Sequence, residues 1–155
     1  MELSYSNIIN VPQAFAFDRA TDFERFEAEG FGNLAPFERR NDICAPEIGA
    51  KWRTAAEFQG RPRRFWLELL ALEDPGTMVL GNKSAKYDVE ARFEFIETGA
   101  ETTEFTFNLN AKAQSITGKL ILQTIQLARA RIMKSMQADF DKMAERMEAA
   151  YQAEG

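Results

Sequence analysis

From Lys86 to Phe95 the chain reads KYDVEARFEF, apolar at every odd position (Tyr87, Val89, Ala91, Phe93, Phe95) and charged at every even one. A period of two is the pattern of a β-strand with one buried face and one wet face. The alternation recurs in 103–113, where Thr103, Phe105, Phe107, Leu109, Ala111 and Ala113 oppose Glu104, Thr106, Asn108, Asn110 and Lys112. It recurs again in 48–58, where Ile48, Ala50, Trp52, Thr54, Ala56 and Phe58 oppose Lys51, Arg53 and Glu57. With Gly and Pro as punctuation, six antiparallel strands are expected at 35–43, 48–59, 62–73, 76–83, 86–98 and 102–113. The stretch 62–73 is apolar on both sides over Phe65–Leu72, which calls for a second covered surface or a subunit contact.

An earlier strand is expected at 2–11, with Leu3, Tyr5, Ile9 and Val11 on one side and Pro12 ending the ladder because it has no N–H to donate. From Pro12 a short helix follows, with proline at the first helical position. Thr21-Asp-Phe-Glu24 then fits a capping box, so a second short helix is expected to run to Glu29 and stop at Gly30. The last segment changes period. From about Ile116 to Tyr151 it has no proline and, after Gly118, no glycine, and its large apolar residues fall at 121, 125, 132, 136, 140, 143 and 147. That is one stripe along a long helix, with Arg131, Lys134, Asp141, Glu145 and Glu148 on the wet side. The expected class is α+β, one domain over residues 1–155, with helices on one face of an antiparallel sheet.

Composition narrows the chemistry. The chain has no histidine, which removes Ser–His and Cys–His nucleophile activation and the histidine-based zinc and iron sites together. Acid–base work would fall to Asp, Glu, Tyr, Lys or Arg, and neither a cofactor nor a metal is expected. The single cysteine, Cys44, is expected to be a structural thiol, and the N-terminus lacks the basic start and apolar core of a secretory signal, so the cytoplasm is the expected compartment. No run approaches the roughly 20 apolar residues of a membrane span. A net charge of −5 argues against nucleic acid as a partner. The run Arg61-Pro-Arg-Arg-Phe-Trp66, basic and aromatic, is accordingly read as a solvated turn. Gly30-Phe-Gly32-Asn-Leu-Ala35 satisfies GxGxxA but runs into Pro36 rather than opening a helix, so the dinucleotide context is missing.

The order strand, two short helices, six strands, long helix resembles the START-related lipid-transfer superfamily (SRPBCC, the helix-grip fold), particularly its bacterial polyketide cyclase/dehydrase-like members. The resemblance covers nearly the whole chain. Its local match is Pro12 ending the first strand, followed by Thr21-Asp22-Phe23-Glu24-Arg25, where that family often shows an aspartate-led second helix. Members commonly carry a Trp shortly after the aspartate, and here Phe26 stands instead. The resemblance implies a curved seven-stranded sheet wrapped around the C-terminal helix, with an elongated apolar cavity between them.

On that fold, Trp52, Phe93, Phe105 and Phe107 from the sheet and Ile132, Met133 and Met136 from the helix are the expected apolar lining, the methionines being suited to varied guests, against the alternative of ordinary core filling. Tyr5, Asn7, Thr54 and Tyr87 are candidates to orient a polar ligand head, against the alternative that they are satisfied internally. Arg129 starts near the stripe and either reaches a ligand carboxylate or snorkels outwards. The function expected is binding of a hydrophobic or amphipathic small molecule, lipid-, polyketide- or isoprenoid-like. The alternatives are an aromatase/cyclase- or dehydratase-type enzyme, for which no Asp or Glu stands at an inward position, and a protein–protein adaptor using Phe65–Leu72. A second copy of the chain is a candidate partner.

Overall fold

The computed structural model describes residues 1–40, 47–58 and 60–154. Cys44, the end of the expected strand 35–43 and the side chain of Phe58 lie outside the described residues. Strand β1 (Glu2–Ile9) leads into helices α1 (Gln13–Ala20) and α2 (Phe23–Glu29). Strands β2 (Glu38–Arg39), β3 (Lys51–Phe58), β4 (Arg61–Glu73), β5 (Thr77–Lys83), β6 (Tyr87–Gly99) and β7 (Thr102–Ala113) follow, and then α3 (Ile116–Leu127) and α4 (Arg129–Glu154). The strands form one antiparallel sheet in the order β1-β7-β6-β5-β4-β3-β2. No described helix is long and apolar enough to cross a membrane.

Register turns the alternating sequence into two faces. Phe93 pairs with Phe107, Phe95 with Phe105, and on the other side of β7 Tyr5 pairs with Phe107 and Asn7 with Phe105. Cross-strand partners point the same way, so Tyr5, Asn7, Phe93, Phe95, Phe105 and Phe107 share the concave face. Trp52 and Thr54 share it at the other end of the sheet, opposite Leu67 and Phe65. Ile48, expected inward, lies ahead of β3 and is 65 % exposed. The doubly apolar run in β4 contains an irregularity. Register shifts between Leu69 and Ala71, so Leu69 stays in the core while Leu70 lies over Gly81, where an added Cβ would sit 2.4 Å from its Cδ1.

Two details of the helices differ from the sequence reading. The cap of α2 is Asp22, whose side chain accepts from the Arg25 N–H, whereas the Thr21 hydroxyl donates back to the Phe17 carbonyl and closes α1. More consequentially, the long C-terminal helix is broken at Ala128, which takes φ −96° and ψ 11° and bonds back to Ile125 O. No proline or glycine marks the break, and its cause is tertiary. The start of α3, capped by Ser115, lies on the β5–β6 turn so closely that a Cβ on Gly118 would be 1.7 Å from the Lys86 carbonyl oxygen. Helix α4 is held elsewhere, along β1.

That second anchor is aromatic at its centre and polar at its margins. Phe140 is buried, with ring centroids at 4.9 Å from Phe107, 5.1 Å from Phe105, 5.4 Å from Tyr5 and 5.6 Å from Phe31. Alongside, the Tyr5 hydroxyl donates to Asp141 and the Asn10 N–H to Glu148 at 2.9 Å. The two carboxylates expected merely to face water are therefore the clamps that tie the helix to β1. Burial first, and donation to Asp141 second, raise the Tyr5 hydroxyl to about 12, while the Asn7 amide beside it pulls the other way.

Phe140→Ala should lower unfolding stability by about 3–5 kcal/mol, the cost of an aromatic truncation in packed core. Met136→Ala, one turn earlier and only half buried, should cost less than about 2 kcal/mol because it loses fewer contacts. Urea denaturation midpoints of the two variants check the ordering, and equal large losses would contradict it. A second expectation follows from the sign of the Tyr5 shift. A tyrosine raised from 10 to about 12 on folding contributes stability that is complete below pH 10 and lost as pH climbs towards 12. Tyr5→Phe should therefore cost about 0.5–1.5 kcal/mol at neutral pH and show a shallower alkaline loss than the parent. Parallel stability–pH curves would refute that assignment.

Candidate ligand-binding site

The expected site residues fall into three places. Tyr5, Phe93, Phe105, Phe107 and Met136 belong to one cluster around Phe140, together with Phe95, Ile9 and the α1 residues Ala16, Phe17 and Ala20. Trp52 and Thr54 belong to a second region beneath α2. Trp52 is fully buried, stacks on Phe23 at 5.1 Å and donates its Nε1–H to Glu27 at 3.3 Å. Glu27 also pairs with Arg39, and Thr54 Oγ1 donates to the Ala35 carbonyl at 2.7 Å. These contacts fix the α2–β2 connection to the sheet. Both side chains have their donor hydrogens committed within the protein.

Tyr87 and Arg129 lie in the third place, towards the far end of the sheet. Tyr87 opposes Ala113 at the start of β6. Arg129, the first residue of α4, lies with Met1, Glu2, Ala113 and the α3 residues Lys119, Leu122, Gln123 and Gln126 around a surface groove, so the structure does not bring it to the aromatic cluster. Asn7 stays close to Tyr5. Its Oδ1 is buried with no protein hydrogen-bond partner, an arrangement that costs about 1–3 kcal/mol when uncompensated and leaves a polar acceptor in an otherwise aromatic wall. Among the described residues no group of three or more His, Cys, Asp or Glu side chains is placed to hold a metal ion.

Along its strands the concave face changes character. At the β6–β7 hairpin end Ile9, Phe95, Thr103 and Phe105 are fully enclosed by α1 and α4. Towards the opposite end Leu109, Ala91, Val89 and Tyr87 are only half buried, and so are Ile125, Ile132, Met133 and Met136, which lie on or beside the stripe leading away from Phe140. Helices α3 and α4 run over β7 and β1. At that end Phe65 and Leu67 of β4 and Tyr87 and Val89 of β6 are only partly buried, whereas Leu69 and Leu80 are packed in the cluster that includes Phe23 of α2. Helix α3 itself exposes Ile116, Leu120 and Leu127 on its outer side, the last 91 % accessible.

The sequence pattern does not reveal what surrounds this space. It assigns Asp141 and Glu148 to water, gives Glu27 and Arg39 no periodic signal, and makes Lys83 and Lys86 terminal residues of two expected strands. Only the three-dimensional pairing of β4 with two different neighbours reveals that the last two flank an opening.

No family model and no curated protein matches the chain in sequence. Its backbone nevertheless aligns with solved structures along almost its whole length. A protein from Thermus thermophilus aligns at TM-score 0.71 and 18 % identity, over 97 % of this chain and 99 % of that one. The Zhui aromatase/cyclase from Streptomyces sp. R1128 aligns at TM-score 0.71 and 10 % identity, over 94 % of each chain. A START superfamily protein from Mycobacterium smegmatis aligns at TM-score 0.60 and 14 % identity, over 92 % of this chain and 98 % of that one. Identities this low speak for the backbone alone. With its curved seven-stranded antiparallel sheet, two short helices after the first strand and long C-terminal helix, the chain has the helix-grip α+β fold of START-like and polyketide cyclase-like proteins.

Proposed function

We propose that the chain binds a hydrophobic or amphipathic small molecule between the concave face and helices α3 and α4, for carriage or presentation in the cytoplasm. One observation carries this reading. Apolar side chains on the sheet (Tyr87, Val89, Ala91, Leu109) and on the helices (Ile125, Ile132, Met136) are only partly buried at the margin of the packed core around Phe140. Each such side chain would gain about 25 cal/mol per Å² of apolar surface covered by a guest. Methionines beside the space suit it to guests of more than one shape.

A cyclase or dehydratase reaction would need a general acid or base in the same space. Among the described residues, one carboxylate stands at a concave position of the sheet, Glu97 opposite Thr103, and it is exposed at the β6–β7 hairpin end, away from Tyr87, Val89 and Ala91. Tyr5 is raised to about 12 and committed to Asp141, so it is a poor proton donor near neutral pH. Binding without chemistry is the reading that these groups support.

Ala91 provides the test because it is small, concave and half buried at the edge of the proposed space. Ala91→Trp should lower affinity for a neutral environment-sensitive dye such as Nile red by about tenfold or more, equivalent to about 1.4 kcal/mol, with the cooperative thermal transition retained. Glu90→Lys, one residue along on the wet face, should change neither property. Fluorescence titration of both variants decides the matter. Undiminished dye binding by folded Ala91→Trp would overturn the placement of the ligand.

A further inference from the structure

Strand β4 serves two neighbours in turn. Arg61–Glu68 pair with β3, and the strand from Glu68 to Glu73 pairs with β5. Before the Glu68–Gly81 pair, β4 and β5 separate, while β5 continues alongside β6 through Asn82 and Lys83. One side-chain hydrogen bond crosses the opening, from Asn82 Nδ2 to the Trp66 carbonyl at 2.7 Å. The opening is a groove of about 560 Å³. Its walls come from both faces of the sheet. Phe65 and Tyr87 have concave register, opposite Thr54 and Ala113, whereas Arg64 and Lys83 are convex, opposite Ala55 and Asp88. This slot at the β4–β5 seam is cationic on its convex side and bordered by Phe65 and Tyr87 on its concave side.

The slot is charged against the trend of the molecule. In a chain of net charge −5, Lys51, Arg64, Lys83 and Lys86 line this groove with one carboxylate, Glu68, among the described residues. Lys51 already offsets Glu68, at 3.9 Å. Among the described residues Arg64, Lys83 and Lys86 take part in no ion pair. Asp88 lies opposite Lys83 on one side and Lys112 on the other, and its buried Oδ1 accepts no hydrogen bond from either. Like charges gathered at one mouth repel each other, and an anion seated among them relieves that repulsion while drawing oppositely charged ligands in.

We infer that this slot seats the anionic head, a carboxylate or a phosphate, of an amphipathic ligand whose apolar body passes between Phe65 and Tyr87 into the concave space. The inference rests on the binding reading above and gives it a ligand class and a direction of entry. Neither the sheet face nor the helix stripe alone would select a charged ligand. The slot joins a cationic rim to an apolar interior, which is the order of groups along an anionic amphipath.

The test compares the parent with Lys83→Glu/Lys86→Glu, both positions being exposed, and independently with Arg64→Glu. Each is titrated with Nile red and with dodecanoate or dodecyl phosphate as competitors, and inorganic phosphate is run alone. Both charge-reversed proteins should bind Nile red within about twofold of the parent yet lose affinity for the two amphipaths by about tenfold or more. In the parent, amphipath affinity should fall as NaCl rises from about 50 to about 500 mM, and this dependence should flatten in the variants. Inorganic phosphate should not compete. Equal amphipath affinity in parent and variants, or competition by inorganic phosphate as strong as by dodecyl phosphate, would overturn the inference while leaving the binding reading intact. A parent that binds neither dye nor amphipath would overturn both.

Discussion

Insertion of Phe140 into the concave face is the contact on which the rest of the structure depends. An antiparallel sheet with Tyr5, Phe93, Phe105 and Phe107 on one side has to cover that side, and α4 does so with one aromatic ring in contact with all four. Around that ring the helix has little freedom. Asp141 and Glu148 hold it to β1, Arg19 pairs with Glu154 at 2.8 Å, and Tyr151 donates to Glu101 at 2.8 Å. Exposed pairs of this kind contribute little energy individually. Their effect is to fix the direction in which α4 leaves the core.

The break at Ala128 follows from that fixed direction. Helix α3 must begin where Gly118 meets the Lys86 backbone, and α4 must end beside α1. The chain reconciles the two anchors by giving up helical geometry at one residue. Because α3 and α4 follow β7 and β1 rather than crossing the whole sheet, Phe65 and Leu67 of β4 and Tyr87 and Val89 of β6 stay only partly buried.

How far the sequence reveals this depends on the range of the interaction concerned. Strand positions and faces were legible, because alternation in 86–98 and 102–113 is a local pattern that the register of β6 and β7 bears out. The order of elements was sufficient to name the fold. The break at Ala128 was illegible, since its neighbours are good helix formers and its cause lies in contacts at Gly118 and Phe140. The capping residue of α2 differs by one position from the expected one because Thr21 and Asp22 are both competent caps, and only the end of α1 decides between them. Trp52 and Thr54 read as candidate lining because periodicity identifies the inward face without saying which element covers it. Here α2 and the segment ahead of β2 do.

The basic slot marks a stronger limit. Arg64, Lys83 and Lys86 are ordinary polar residues of a strand and a turn, and their proximity exists only because β4 changes partner near Glu68. The irregularity between Leu69 and Ala71 falls just beyond the last residue shared by both ladders, and a bulge of this kind bends the strand that carries it. A straight β4 paired with β5 along its full length would close the gap and leave the cations spread over an uninterrupted convex face. The doubly apolar run in β4, which in the sequence looked like a surface awaiting a partner, is therefore part of the same feature. Leu70 covers Gly81 at the bend, and beyond it the two ladders diverge around a groove lined by Arg64, Lys83 and Lys86 with Phe65 and Tyr87.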